Sequence, residues 1–315
     1  MPATIVLNQS DLVQNGKNNA LVYNFPNSVQ FPHHEIAVQQ ISMYYSWQNI
    51  NAVPLGNNTF TVIWNAVPVL YTIPDGLYEI ADINRFLQFS FIQQGKFLIN
   101  PAGQNVYYAE MLVNPTLYAV QLNTFPWPTG AGWTLVGNVW EGNIGTQYEG
   151  WTSPSIVADP VTGQSAFIGF TGATFNPGFV IGNNFNKIVG FTVPNPYTTP
   201  TNTGANFSAT SNVAPQVQPN SSAYLAISNI NNPYSSPSSI LYSINPNVGF
   251  GEQIAITVPE FAYNKLLNGT YNELRVQILG IDYQPLTLLD PNMTIILVIR
   301  DLKEMTAGLV DLFRK

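Results

Sequence analysis

From Ile188 to Gly251 the chain carries no Asp, Glu, Lys or Arg. The stretch is built from Asn, Ser, Thr, Pro and Gly, interleaved with Val, Ile, Phe and Tyr. It is too polar to span a membrane and too rich in β-formers to be a plain linker. Polar side chains without charge must find hydrogen bonds in backbone, water or neighbouring chains, since an unpaired buried group costs about 1–3 kcal/mol. This predicts a β-rich protein with much of its surface in contact with something. Over the whole chain charged residues make up 9%, against about 25% in an average soluble protein. An enzyme concentrates titratable groups, and this chain has few to concentrate.

The remaining composition narrows the classes further. Hydrophobic residues at 45% and aromatics at 13% supply a large core, so a folded chain is expected. A net charge of −7 and a pI near 4.7 argue against binding nucleic acid through phosphates. The chain has no cysteine, which removes disulfides, thiolate catalysis and zinc–thiolate sites. Met1-Pro-Ala-Thr4 has no positive, apolar leader, and the longest apolar run is Ile295–Ile299. A cytosol-like, reducing site of synthesis and no membrane insertion are expected.

Strand patterns dominate. Ala20–Phe25, Glu35–Tyr45, Thr59–Trp64 and Tyr71–Tyr78, the last broken by Pro74-Asp75-Gly76, read as strands. Further strands are predicted at Val106–Leu112, Leu117–Leu122, Ile188–Val193, Ala223–Ile230, Ile240–Ile244, Gln253–Val258, Leu274–Ile278 and Thr294–Arg300. One helix opens at Asp82, whose charge suits a helix N-terminus, and stops at Gly95. Ile83, Leu87 and Phe91 line one face of it. Phe86 and Phe89 lie off that stripe and predict burial on more than one side.

Many short strands separated by Pro and Gly predict an all-β sandwich or barrel. The glycine-rich region 124–186 holds four of the six tryptophans, Trp127, Trp133, Trp140 and Trp151, and reads as an insertion with its own cluster. Thr198–Asn220 reads as an extended loop or linker. Asp301–Lys315 is helical in pattern, with Leu302, Met305, Leu309 and Leu312 on one stripe. Such a tail either packs on its own domain or docks on a neighbour.

Candidate chemistry is sparse. His33 and His34, the only histidines, sit in an inter-strand loop without a nucleophile motif, and read as surface or interface residues able to confer pH sensitivity. Glu141, Glu149 and Asp159 are the carboxylates beside the tryptophans that could serve glycoside chemistry. Aromatic residues of a β-rich insertion more often form its core. Asp290-Pro-Asn-Met-Thr294 lacks the glycine and closing glutamate of a calcium loop. No catalytic residue, cofactor or metal ligand is expected.

Several segments carry a resemblance when taken in order. They begin with Ile73–Gln88, Asn186–Phe191, Ser211–Gln216 and Tyr224–Ile230. Ile240–Pro246, Gly249–Gly251, Gly269–Leu274 and Pro285–Arg300 complete the series. The chain resembles the penton, or minor capsid, proteins of virophages and polinton-like viruses, the single-jelly-roll branch of the adenovirus-like capsid lineage. The resemblance spans about Leu21 to Arg300, but the Trp-rich region matches no motif of that family.

It implies an all-β single jelly roll, an antiparallel β-sandwich with one short helix, a loop-rich insertion and a C-terminal amphipathic helix. The expected division is 1–123 and 187–300 for the jelly roll, 124–186 for the insertion and 301–315 for the tail, with the helix on an outer face of the roll. The implied role is a virion protein, a homopentamer at the fivefold vertices beside trimers of a double-jelly-roll major capsid protein. Trp127, Trp133, Trp140 and Trp151 are then the candidate attachment surface toward a host glycan or receptor. Replacing Trp133 and Trp140 by Ala is expected to lower attachment and spare assembly if they form that surface, and to impair folding if they form a core. The other readings are a cement or minor capsid component and a carbohydrate-binding β-sandwich; an enzyme ranks last.

Overall fold

Alternation of apolar and polar residues at period two is what lets a strand bury one face and wet the other. The strands β1 (Ala3–Leu7), β2 (Ala20–Gln30) and β3 (His34–Tyr44) carry that pattern, as do Ala223–Ile227, Ile240–Ile244, Gln253–Thr257, Thr270–Leu279 and Met293–Asp301. The computed structural model describes residues 3–64, 66–128, 131–137, 139–153, 176–201, 204–218 and 220–303. The chain divides into two units, Met1–Gln48 with Pro219–Lys315, and Asn49–Gln218.

In the first unit the eight strands form two antiparallel sheets. One runs β1, Met293–Asp301, β3, Gln253–Thr257; the other runs Ile240–Ile244, Ala223–Ile227, Thr270–Leu279, β2. Counted along the chain, the orders are 1-8-3-6 and 5-4-7-2, with the two-residue strand Asn264–Lys265 added beside β3. This is the strand order of a jelly roll. Leu7, Leu21, Ile36, Ile41, Leu225, Ile278, Ile295 and Leu297 meet between the sheets with no side chain exposed. At the point where the chain leaves this unit, the buried Trp47 donates its indole N–H to the carbonyl of Asn220 at 2.9 Å, so the outgoing and returning segments are tied.

The second unit builds a separate core from shorter pieces. Strands β4 (Thr59–Trp64) and β5 (Val67–Thr72) pair as a hairpin, extended by Gly178–Ile181 and Tyr197–Thr198. Ala109–Asn114, Ala119–Thr124 and Phe207–Thr210 form a second sheet. Short strands at Leu98–Ile99, Asn105–Val106, Trp133–Val136, Val139–Gly142 and Thr152–Ser153 form a third. Helix α1 (Ile80–Gln93) buries Ile80, Ile83, Leu87 and Phe91. The carboxylate of Asp82 accepts the Glu79 amide at 3.0 Å at its start. Gly95 ends it at φ 65°, with the Lys96 amide donating back to the Phe91 carbonyl at 2.8 Å. Asn49 ties the two ends of this unit, its amide donating to the carbonyls of Tyr78 at 2.7 Å and Val217 at 2.6 Å.

These observations correct several expectations. The excursion from the jelly roll is 49–218 rather than 124–186. The strands from Thr59 to Thr124 alternate just as the jelly-roll strands do, and alternation does not say which strand pairs with which. Helix α1 accordingly packs in the second core, not on the roll, and Phe89 is exposed. Ile188–Val193 is not a strand. Phe185–Val189 forms a second helix, α2, whose Phe185, Ile188 and Val189 fill the core. Gly190 caps it at φ 76°, where an added Cβ would lie 2.3 Å from the Val213 carbonyl oxygen. The segment read as an extended loop contains the strand Phe207–Thr210, paired to Ala119–Thr124. Of the C-terminal tail, Met305, Leu309 and Leu312 lie outside the described residues.

Candidate interaction surfaces

The outer face of the sheet containing β1 and β3 is assembled from neutral side chains. Register places Val6, Ile296, Gln40 and Thr257 in one row across its four strands. A second row is Thr294, Ser42 and Ala255, and a third pairs Tyr44 with Gln253. Gln253 donates its side-chain amide to the Ser42 hydroxyl at 2.8 Å. Ser42, Tyr44, Gln253 and Thr294 line, with Asn8 and Asn292, a shallow cleft of about 410 Å³. At the other end of the face Arg300 neutralises Glu35 at 2.7 Å and its guanidinium lies 3.6 Å from the Tyr263 ring. The part of this face away from Glu35, Arg300 and Lys265 can therefore be covered without stranding an unpaired charge, which costs several kcal/mol when buried.

The second unit has an amide and hydroxyl network that ends on one carboxylate, Glu110. Gln121 donates to Asn123 and to Ser208, each at 2.9 Å, while Asn123 donates to Glu110 at 2.9 Å. Beyond it, the end of Ala109–Asn114 exposes Val113, and the turn to Ala119–Thr124 projects Leu117 and Tyr118, 62% and 74% exposed. Tyr118 holds φ 48°, a left-handed conformation uncommon for a side chain of its size.

The four tryptophans are placed differently from an attachment surface. Trp127 is fully buried, edge-on to Trp64 at 4.8 Å and to Tyr108 at 4.3 Å. Trp133 is also buried, 5.3 Å from the Tyr148 ring. Trp140 and Trp151 are half-buried against the same core. Trp127 and Trp133 cannot contact a ligand from inside the core, which corrects the attachment expectation for both.

The described candidate catalytic groups lie on different elements. Glu141 lies on the strand Val139–Gly142, and Glu149 accepts the Gly145 amide at 2.9 Å; Asp159 lies outside the described residues. His33 occupies the β2–β3 turn at φ 70°, and the Nδ1 of His34 is 3.1 Å from the Pro32 carbonyl oxygen. Asp290 accepts the Asn292 amide at 2.6 Å, a local turn before the last strand. Among the described residues no group of three His, Asp or Glu is placed to hold a metal ion. Among them, too, no helix is long and apolar enough to cross a membrane. Burial lowers the pKa of Lys96 to about 8, its ammonium sitting 5.5 Å from the Trp64 ring.

Sequence reasoning missed both the neutral face and the exposed turn. Signal for the face existed in the alternation of Met293–Asp301 and β3, where every outward position up to the Glu35–Arg300 pair is uncharged. No such pattern marks Leu117 and Tyr118, because apolar residues in a turn read equally as buried.

Comparison with known proteins places this geometry in context. No protein-family model matches the chain, and no curated protein does. Among solved structures it is similar to the mavirus penton protein, at 10% identity and a TM-score of 0.40. The likeness spans nearly the whole chain. It covers 96% of this chain and 99% of that one. A chain in the cryo-EM structure of the Sputnik virophage is similar at 10% identity and a TM-score of 0.35, over 97% of this chain and 98% of that one.

Proposed function

We propose that this chain is a structural capsid protein, a penton that assembles as a homopentamer at the fivefold vertices of an icosahedral shell. The observation that carries the proposal is the outer face of the β1–β3 sheet, uncharged across the three rows that run from Val6 to Gln253. A jelly roll is a recurrent capsid architecture. A rotational, head-to-tail interface closes on itself and hides edge strands such as β1 and β2. The segments Ile73–Gln88 and Pro285–Arg300, with their resemblance to virophage pentons, add support. Trimers of a double-jelly-roll major capsid protein are the second partner in this reading, and the virion is the site of residence. Host contact, where the insertion provides it, falls to the exposed Leu117 and Tyr118 rather than to the buried Trp127 and Trp133.

The test is Ser42→Lys, which places one charge in the middle of the neutral face without touching the core. The variant is expected to keep its fold and melting profile and to lose the five-subunit species. Retention of that species with Lys at 42 would exclude this face from the subunit interface.

The cleft beside Tyr44 favours one other reading, a carbohydrate-binding sandwich, because amides and hydroxyls around an aromatic ring suit a sugar. Saturable binding of the isolated monomer on a glycan array, abolished by Tyr44→Ala, would support it.

A further inference from the structure

The inserted unit carries one sheet whose outer side has no charge. Its strands run Tyr197–Thr198, Gly178–Ile181, β4, β5. Alternation sends Phe60, Val62, Trp64 and Phe179 inward, where they are buried. The intervening residues face out, and register sets them in rows. Thr198, Val180, Thr61 and Leu70 form one row; Gly178, Ile63 and Pro68 form the next; Thr59 pairs with Thr72 in a third. Leu70 is 63% exposed, and Pro68, Thr72 and Thr198 are exposed as well. Rows of the unit's other sheets do carry charge. Glu110 stands beside Asn123 and Ser208, and Glu141 beside Thr134 and Thr152.

The size of the jelly roll's neutral face bears on what covers this one. Four strands about 4.8 Å apart and five residues at about 3.4 Å each give roughly 300 Å² in plan. A stable contact between subunits takes about 800 Å² from each partner. The face around Ser42 falls short of that by itself. The inserted unit's face, with the same number of strands and rows, adds a comparable area. Charge points the same way. Each copy of this chain carries a net charge of −7, so contact between copies is favoured where both withhold their carboxylates. Strand addition at the sheet's edge is not the mode, because Pro68 interrupts β5 there and has no N–H to pair. The face, rather than the edge, is what the sheet offers.

We propose that the outer face around Thr61, Ile63, Leu70 and Val180 is a second subunit contact, covered in the assembled ring by a neighbouring copy of this chain. The neighbour meets it with a different patch, because a rotational ring uses two unlike surfaces of each subunit. The inference rests on the five-subunit reading and adds the inserted unit to an interface which that reading left to the jelly roll.

The absence of cysteine from the chain makes the contact measurable. Leu70→Cys and Tyr234→Cys are made separately in the full-length protein; Tyr234, 97% exposed in a jelly-roll loop, is the reference. Alkylation by a maleimide is timed on the five-subunit species, whose mass is checked by light scattering. The rate at position 70 is expected to be at least tenfold below that at 234. Comparable rates within an intact ring would overturn the inference and leave the ring standing. Absence of any five-subunit species, with position 70 freely reactive, would overturn both. Thr61→Lys is the second variant. It is expected to keep the melting profile of the parent chain and lose the ring, whereas Thr61→Val keeps both. A ring retained with Lys at 61 would exclude this face from the contact.

Discussion

The jelly-roll unit fills its interior with Leu, Ile, Val and Met from strands of up to 11 residues, and Phe31, Tyr45 and Trp47 are the buried aromatics there. The inserted unit adds to its own Ile, Leu and Val the large rings of Phe60, Trp64, Tyr71, Phe91, Tyr108, Trp127, Trp133, Phe179, Phe185 and Phe191, from strands of two to six residues, two helices and loops. Long paired strands deliver an apolar residue at every second position, so small aliphatic side chains suffice to close the space between two sheets. Short strands and loops deliver fewer side chains per unit of core, and large rings make up the volume.

Substitutions that empty each core should sharpen that contrast. Trp127→Ala is expected to cost about 3–5 kcal/mol, the range for deleting a large buried aromatic. Denaturant unfolding measures the loss, and hydrogen exchange locates it. Exchange should quicken in β4 and Ala119–Thr124 while Met293–Asp301 stays protected. Leu297→Ala, at about 2–5 kcal/mol, should reverse the pattern. If either variant loosens both units equally, the two cores are not separate cooperative bodies.

Smaller effects are expected at the ties and surfaces. Asn49→Ala removes two donated hydrogen bonds and the one its side-chain oxygen accepts from the Tyr78 amide at 2.9 Å. A loss of about 1–3 kcal/mol follows from the carbonyls left unpaired, read by the same denaturation curve. Lys96 gives a pH signature. Its folded pKa of about 8 lies below the ordinary 10.5, so between these values the unfolded chain holds a proton that the folded chain has released. Stability contributed by this group therefore rises with pH from about 8 upward, and Lys96→Met should flatten that rise in unfolding curves taken below pH 10. Burial also raises the pKa of Tyr71 and Tyr108, so above about pH 10 their ionisation favours unfolding, which sets the upper limit of the window. Leu117→Ser should change stability by no more than about 0.5 kcal/mol; a larger loss by thermal melting would show that the exposed turn is part of the insertion's core.

Seven of the eight jelly-roll strands were legible one at a time and gave a sandwich or barrel; β1 was not predicted, and the jelly roll itself came from the resemblance. Ile240–Ile244 is found with the expected limits, and Gln253–Thr257 and Met293–Asp301 within a residue at each end. The stripe of Ile83, Leu87 and Phe91 and the stop at Gly95 likewise follow from local chemistry. The division of the chain was not legible. Thr59–Trp64 and Ala119–Thr124 carry the same alternation as β3, and nothing local records that they pair with Gly178–Ile181 and Phe207–Thr210 instead. Helix α2 was misread for a related reason: Ile188, Val189 and Phe191 favour strands, and the tertiary demand for buried side chains on a tight turn ended by Gly190 overrode that preference. The tryptophans fitted either a platform or a core, and for Trp127 the rings of Tyr108 and Trp64, distant in sequence, decided for the core.

The measurement that bears most directly on the capsid account is the mass of the purified full-length chain by light scattering, with images of the same peak. Material recovered from purified virions should be analysed in parallel. The account predicts a closed five-subunit ring, and the chain in the virions at fivefold vertices. A chain that remains monomeric in solution and is absent from the particles would contradict it.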